Sequence, residues 1–288
     1  MPSIKDLKKR IVSTKNTQQT TKAMKMVSAS KLRRATDAIL SQRPYAQEIA
    51  RLMRALSDQA ADSDSGQKTA ASLLVVVSSD RGLCGGYNST VIRAATSFLA
   101  EKTKTGRTVK TVFIGKKAYE ILRGRFKLDL LHYEEFGPKV TFRKATELAK
   151  KVAPTFEQGE VDEVVFIFNE FKNAITQEVK TEQVLPLTID TKGKTEETVE
   201  DKAIYIPNKK ELYVALASKY FIVQVFKALL EGQASEHGAR MSAMESATKN
   251  AGEMIKKLTL QYNKQRQAGI TKELLEIISG SESQKAQG

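Results

Sequence analysis

The residues best suited to chemistry in this chain stand in one loop, Ser79-Asp80-Arg81-Gly82-Leu83-Cys84-Gly85-Gly86-Tyr87-Asn88, directly after an apolar run. A strand, a glycine-rich turn and a helix in that order form the geometry that cradles phosphate at a helix N-terminus. The glycine spacing here is G-x-x-G-G, not G-x-G-x-x-G, and no Gly-Lys-Ser/Thr follows. Without that lysine no cation is positioned for a β- or γ-phosphate, so the second reading is a tight turn at the carboxyl end of a sheet, used as a protein contact. Cys84 is the one cysteine, and the only histidines, His132 and His237, are far from it in sequence. A Cys–His nucleophile therefore stands against a buried structural thiol. Two separate histidines and one cysteine have no metal-ligand spacing. No catalytic constellation emerges, and neither a cofactor nor a metal is expected.

The elements that would hold the loop are legible from period. Ser72–Ser79 (SLLVVVSS) is a β-branched run of the kind that forms a fully buried strand. Helix is expected after the loop to about Lys104, then strand over Val109–Ile114 and helix over Lys116–Arg125. A short strand over Lys127–Tyr133 and a helix over Thr141–Ala153, stopped near Pro154, follow. Val161–Phe171 (VDEVVFIFNEF) is the strongest later strand, and Ile175–Leu185 alternates apolar and polar residues as an edge strand does. Thr188–Lys202 is rich in Thr, Glu and Lys and is expected to be a surface loop, with one more strand over Ala203–Ile206. Alternating strands and helices argue for a parallel sheet covered on both faces, a Rossmann-like α/β head over 70–206.

Both ends of the chain have a different period. From Lys209 to Gly280 there is no proline, and His237, Met241, Met244, Thr248, Ala251, Ile255, Leu258, Tyr262 and Gln265 alternate in steps of four and three. That is a coiled-coil seam. Asn208 and Glu211 open this helix as a capping box would. Some seventy residues at 1.5 Å rise run roughly 100 Å, against a radius of gyration near 19 Å for a compact domain of this length. Most of the helix is therefore expected to project. Ser3 and Asp6 cap a first helix whose only breaker is Pro44, and Ala35, Ala38, Gln42, Tyr45, Ile49, Leu52 and Leu56 continue a three-four stripe through it. A kink at Pro44 is expected in preference to a break, because the register carries across. The expected organisation is an N-terminal coiled-coil helix over 1–57, the α/β head, and a C-terminal coiled-coil helix over 208–284, the two helices pairing antiparallel.

The seams are unusual in composition. Thr14, Thr21, Thr248 and Gln265 lie on them, with Gly232, Gly238, Ala239, Ala243, Ala247 and Gly252 nearby. Leu and Ile would serve stability better, and each helical glycine costs about 1 kcal/mol relative to alanine. Small residues permit close approach of the helices, while polar ones reduce adhesion to whatever surrounds them; an ordinary, loosely packed pair is the alternative.

The net charge is +14, and residues 1–34 hold ten Lys/Arg from Lys5 to Arg34 against the single acid Asp6. Such a helix suits a solvated face, a nucleic-acid grip or an acidic protein partner. No aromatic residue that could stack on bases occurs in residues 1–44, which weakens the nucleic-acid reading. No run of eighteen apolar residues occurs, so no membrane span is expected, and the N-terminus lacks an apolar signal region. One cysteine makes no internal disulfide, which fits a reducing compartment.

Three strings, Thr20–Lys31 (TTKAMKMVSASK), Ser79–Asn88 (SDRGLCGGYN) and Arg240–Gly280 with RMSAMESATKNA and YNKQRQAGITKELLEIISG, resemble the gamma subunit of F-type ATP synthases. The likeness extends over the whole chain; Ser281 after Gly280 departs from the alanine usual in the family's C-terminal signature. The resemblance implies a non-catalytic central rotor shaft of a proton-translocating complex, coupling rotation of a membrane c ring to ATP synthesis or hydrolysis. The implied partners are a ring of three α and three β subunits, the epsilon subunit and the c ring, with no nucleic acid. It also implies a peripheral position on the cytoplasmic face of a bacterial plasma membrane, or on the matrix side of a mitochondrial one. By matching positions it places Met24 and Lys25 where the shaft passes an acidic loop of β, and Arg266 and Gln267 at a catching loop on β. Arg240 and Ile270, Thr271 and Glu273 fall in the helix-pairing and signature region, and Cys84 in a loop near the β ring. No inserted cysteine pair marks the redox switch of chloroplast members. A basic coiled-coil scaffold or a nucleic-acid binder would explain the helices or the charge, but not the three strings.

Overall fold

The computed structural model describes residues 3–56, 70–186 and 208–286; the expectations for Thr188–Lys202 and Ala203–Ile206 lie outside them. Among the described residues five helices and five strands follow in the order α1 (Ile4–Ala55), β1 (Ala71–Val77), α2 (Tyr87–Lys104), β2 (Thr108–Ile114), α3 (Lys116–Leu122), β3 (Asp129–Glu134), α4 (Phe142–Glu157), β4 (Glu163–Phe171), β5 (Gln177–Leu185) and α5 (Lys209–Ala286). The chain divides into two compact units, Met1–Val27 with Ser242–Gly288, and Ser28–Met241.

The second unit is built on a five-stranded sheet of order β3-β2-β1-β4-β5. β1 pairs parallel with β2 and β4, β2 pairs parallel with β3, and β5 closes the edge antiparallel to β4. All seven residues of β1 are buried, as a central strand covered on both faces requires. Its alternate side chains serve two cores. Leu73, Val75 and Val77 join Phe166 and Phe168, α4, and residues of α1 and α5 such as Leu32, Ile39, Phe221 and Leu229. Leu74 and Val76 join Phe113, Ile167 and the buried faces of α2 and α3. A third cluster joins Ile49, Met53 and Leu56 of α1 to Tyr213 and Val223 of α5.

Neither proline ends its helix. α1 runs through Pro44, and α4 runs through Pro154 to Glu157, four residues beyond the expected stop. The amphipathic face of α4 explains this: Ala145, Leu148, Ala149, Val152 and Thr155 are all buried, and that packing outweighs the cost of the ring.

The first unit holds the N-terminal part of α1 against the C-terminal part of α5, antiparallel. Thr21 meets Thr248, Lys25 meets Glu245, Gln18 lies at Gly252 and Ile4 at Gly269. The first capping box forms in full, and the second through its side chains. Ser3 Oγ accepts from the Asp6 N–H while the Asp6 carboxylate accepts from Ser3 N–H, and Asn208 Oδ1 accepts from the Glu211 N–H while its amide reaches the Glu211 carboxylate.

The inward stripe of α1 differs from the expected one at two positions. Ala35, Ile49 and Leu56 are buried and Ala38 and Gln42 half-buried, with Ile39 buried beside Ala38, but Met53 is buried where Leu52 was expected, and Ala46 is half-buried where Tyr45 was. Tyr45 is 49% and Leu52 40% exposed. Each of these places offers two consecutive apolar residues, so the local pattern admits both registers; the repeat counted unbroken from Leu7 through Ile11, Thr14, Gln18 and Thr21 selects the later one.

By length and composition alone, α5 within Glu211–Ser279 is apolar enough to cross a membrane, which the absence of an unbroken apolar run did not anticipate. Only 33% of that apolar window is buried inside the protein, whereas Ala228–Ala239 of the same helix is buried at every position inside the second unit.

Candidate partner-contact sites

The glycine loop is held by its own polar groups. Asp80 accepts from the backbone N–H groups of Phe136 at 2.9 Å and Gly137 at 2.8 Å, and from that of Lys116 at 3.3 Å at the start of α3. Ser79 N–H donates to Asn88 Oδ1 at 3.1 Å, which ties the end of β1 to the start of α2. Gly85 at φ 56° adopts the left-handed backbone that glycine permits, while Leu83 at φ 63° adopts it with a side chain 65% exposed.

Cys84 is buried against Tyr87 and Ala239, and burial pushes its thiol up from its ordinary value, which suits a structural thiol and not a nucleophile. Tyr87 is buried; burial raises its hydroxyl well above the usual tyrosine value, and that hydroxyl has no hydrogen-bond partner among the described residues. Cys84 and His237 do not form a hydrogen-bonded pair, and among the described residues no group of three His, Cys, Asp or Glu could hold a metal ion.

The loop and Arg240 come together. Arg240 Nη2 donates to Gly82 O at 3.4 Å, and Nη1 lies 2.7 Å from Glu236 Oε1, with the two side chains 13% and 11% exposed. Burial raises the Glu236 carboxyl despite this partner, and burial together with the positive charge of Arg240 and Lys31 lowers His237 to about 4. Sequence reasoning singled out Arg240 but missed Glu236. Its signal was present in the i,i+4 spacing of a Glu and an Arg, in a stretch where no helix face is left free for water.

In the helix pair, the Thr21 and Thr248 hydroxyls are hydrogen-bonded at 2.8 Å, and Gln18 Nε2 donates to Thr248 O at 3.5 Å. Lys25 Nζ lies 2.6 Å from Glu245 Oε1, with side chains 38% and 60% exposed, so this pair is weakly stabilising at most. Met24 beside it is half-buried. Further along α5, Met244 and Ala251 are buried, and Thr248, Ile255, Leu258, Tyr262 and Gln265 are half-buried on the expected seam.

Arg266, Gln267, Ile270, Thr271 and Glu273 are all exposed. Arg266, Ile270 and Glu273 follow helical spacing one residue past that seam, and Gln267 and Thr271 form the adjacent row. The structure therefore places the expected contact residues in three places: Cys84 with Arg240, Met24 with Lys25, and the exposed rows near the end of α5.

A family model described as ATP synthase matches residues 3–283. The chain is 47% identical to the ATP synthase gamma chain of Geotalea uraniireducens over 290 residues, covering 99% of this chain and 100% of that one. It is 42% identical to the ATP synthase gamma chain of Paramagnetospirillum magneticum, covering 98% and 100%. A chain in the central stalk and c-ring structure of the Tetrahymena thermophila mitochondrial ATP synthase superposes with a TM-score of 0.59 at 28% identity, covering 79% of this chain and 98% of that one. A chain of the Euglena gracilis mitochondrial ATP synthase shares the fold at a TM-score of 0.68 and 21% identity, covering 98% and 95%.

Proposed function

The chain belongs to the ATP synthase gamma chain family, and from this premise we propose that it is the central rotor shaft of a proton-translocating F-type ATP synthase. It couples rotation of a membrane c ring to ATP synthesis or hydrolysis at β subunits, and it holds no catalytic residue itself. Its partners are the ring of three α and three β subunits, the epsilon subunit and the c ring. It meets the membrane only through that complex, on the cytoplasmic face of a bacterial plasma membrane, or on the matrix side if the chain is organellar.

The observation that carries this reading is the antiparallel pairing of α1 and α5 through threonines, a glutamine and glycines, beside exposed rows that the pairing leaves free. A pair built for stability alone would bury Leu and Ile at those positions. Polar seams and exposed Arg266 and Gln267 suit an element that must make contacts with surrounding subunits and release them. The basic start of α1, with Met24 and Lys25, offers a surface for an acidic loop; Cys84 and Arg240 hold the loop and helix that would face the β ring. Ile270, Thr271 and Glu273 extend the contact row along α5.

Arginine presents a rigid fork of donors to carboxylates, and inside a ring poor in water such a pair is worth more than on an open surface. Replacing Arg266 and Gln267 together by alanine is expected to slow ATP turnover per assembled complex more than it weakens assembly, both measured on one preparation. Unchanged turnover per intact complex would mean that torque passes elsewhere.

A further inference from the structure

In open parallel sheets, ligands bind outside the carboxyl ends of the strands where the strand order reverses. Here that point lies between β1 and β4, and its crevice is already filled by the protein's own α5. β1 pairs with β4 only as far as Val76 with Ile167, whereas β4 continues to Phe171. The last residues of β4 therefore have no strand partner on the β1 side. A buried backbone group left unpaired costs about 1–3 kcal/mol.

α5 supplies the missing partners. Glu231 Oε2 accepts from Phe171 N–H at 2.8 Å, and Ser235 Oγ donates to Asn169 O at 3.0 Å. Glu231 and Ser235 stand one helical turn apart on α5 and meet the two backbone groups of β4 that flank Glu170, so one turn of helix substitutes for the absent strand. Glu231 is 8% and Ser235 0% exposed. Gly232 beside them allows close approach, since a Cβ there would stand 3.0 Å from Val77 Cγ1 and 3.4 Å from the Tyr87 hydroxyl. Gln233 Nε2 reaches Pro138 O at 3.4 Å, and Arg240 reaches Gly82.

Apolar packing alone would bury this helix equally well but is non-directional. Two hydrogen bonds off the helix axis, one turn apart, fix both its height and its azimuth against the sheet. We propose that this seat is the joint through which rotational load passes between the sheet and α5, with Glu231 and Ser235 as positioning residues that set the azimuth. The inference rests on the rotor reading and adds the place where the load enters the helix.

The test uses the assembled complex, fixed by its α and β subunits, with a bead attached to β5 through Glu178→Cys. Unmutated joint residues should give stepwise rotation on ATP; no rotation at all would sink the rotor reading itself. With Ser235→Ala, angular variance within pauses should rise by up to about twofold, since one of the directional restraints is lost. Glu231→Ala should widen the pauses in the same way and reduce protons pumped per ATP in vesicles. Glu231→Gln, which keeps a carbonyl acceptor for Phe171 N–H, should restore both readouts. Pause variance equal to the parent's in assembled Glu231→Ala overturns the proposal. Should Glu231→Ala not assemble, Ser235→Ala decides alone, and unchanged variance there overturns it equally.

Discussion

His237 shows how burial decides protonation in this chain. Its ring is 7% exposed, its Nδ1 has no partner, and burial acts with Arg240 and Lys31 against the imidazolium, while Glu236 is occupied by Arg240. The folded ring stays neutral down to about 4, against an ordinary value of 6.5. Between those values the unfolded chain binds a proton that the folded chain does not, so stability falls as pH drops from 6.5 toward 4. The full loss corresponds to about 3 kcal/mol at most. The buried carboxyls Glu231 and Glu236 are raised and act in the opposite sense, so the informative quantity is a difference between variants. His237→Gln should flatten the dependence of the urea midpoint on pH between 7 and 4.5, and an unaltered dependence would show that the neutral ring is not what the fold requires. His237 and Arg240 were visible in the sequence as seam and signature residues. Glu231 and Ser235 were not, because their roles depend on where β4 outruns β1, and strand registry is a tertiary fact that no local spacing carries.

At the scale of elements, the strand–helix alternation and the α5 seam were legible because each follows one period over many residues. The α1 register was partly legible: Ala35, Ala38, Gln42, Ile49 and Leu56 lie inward, and the ambiguous pairs Tyr45/Ala46 and Leu52/Met53 were resolved only by the repeat extending from Leu7. Pro154 misled because a local breaker rule competed with a buried face that only packing supplies. The pairing register itself is testable. Thr21 and Thr248 face each other with their hydroxyl oxygens 2.8 Å apart, so cysteines at both positions would bring two sulfurs face to face, as a disulfide requires. Thr21→Cys with Thr248→Cys should cross-link under mild oxidation of the full chain, seen as a shift on a non-reducing gel. Met26→Cys with Thr248→Cys should not, because Met26 is 61% exposed and off the seam. Equal cross-linking in both would mean that the helices slide past one another. A single proton crossing 100 mV carries only about 2.3 kcal/mol, so a shaft that sums several such steps must hold its register while it stores twist.

For the chain as a whole, the glycine loop and the sheet bear jointly on nucleotide binding. A strand, a glycine turn and a helix would ordinarily offer a phosphate site at the switch point of the sheet. In this protein Asp80 is committed to the backbone of Phe136, Gly137 and Lys116, Tyr87 is buried at the start of α2, and the crevice between β1 and β4 is occupied by α5 at Glu231, Gly232 and Ser235. No lysine follows the glycines to meet a β- or γ-phosphate. Admitting a nucleotide would require expelling a helix whose polar groups satisfy the end of β4. Because each such group costs about 1–3 kcal/mol when left unpaired, a micromolar ligand worth about 8 kcal/mol would lose much of its affinity to that expulsion. Calorimetry with Mg-ATP on the purified full chain should therefore show no saturable heat at micromolar concentrations and no hydrolysis, while the same chain in its complex supports turnover. Saturable micromolar binding that disappears when Gly85 or Gly86 is replaced would show instead that the loop holds phosphate and that α5 leaves its seat.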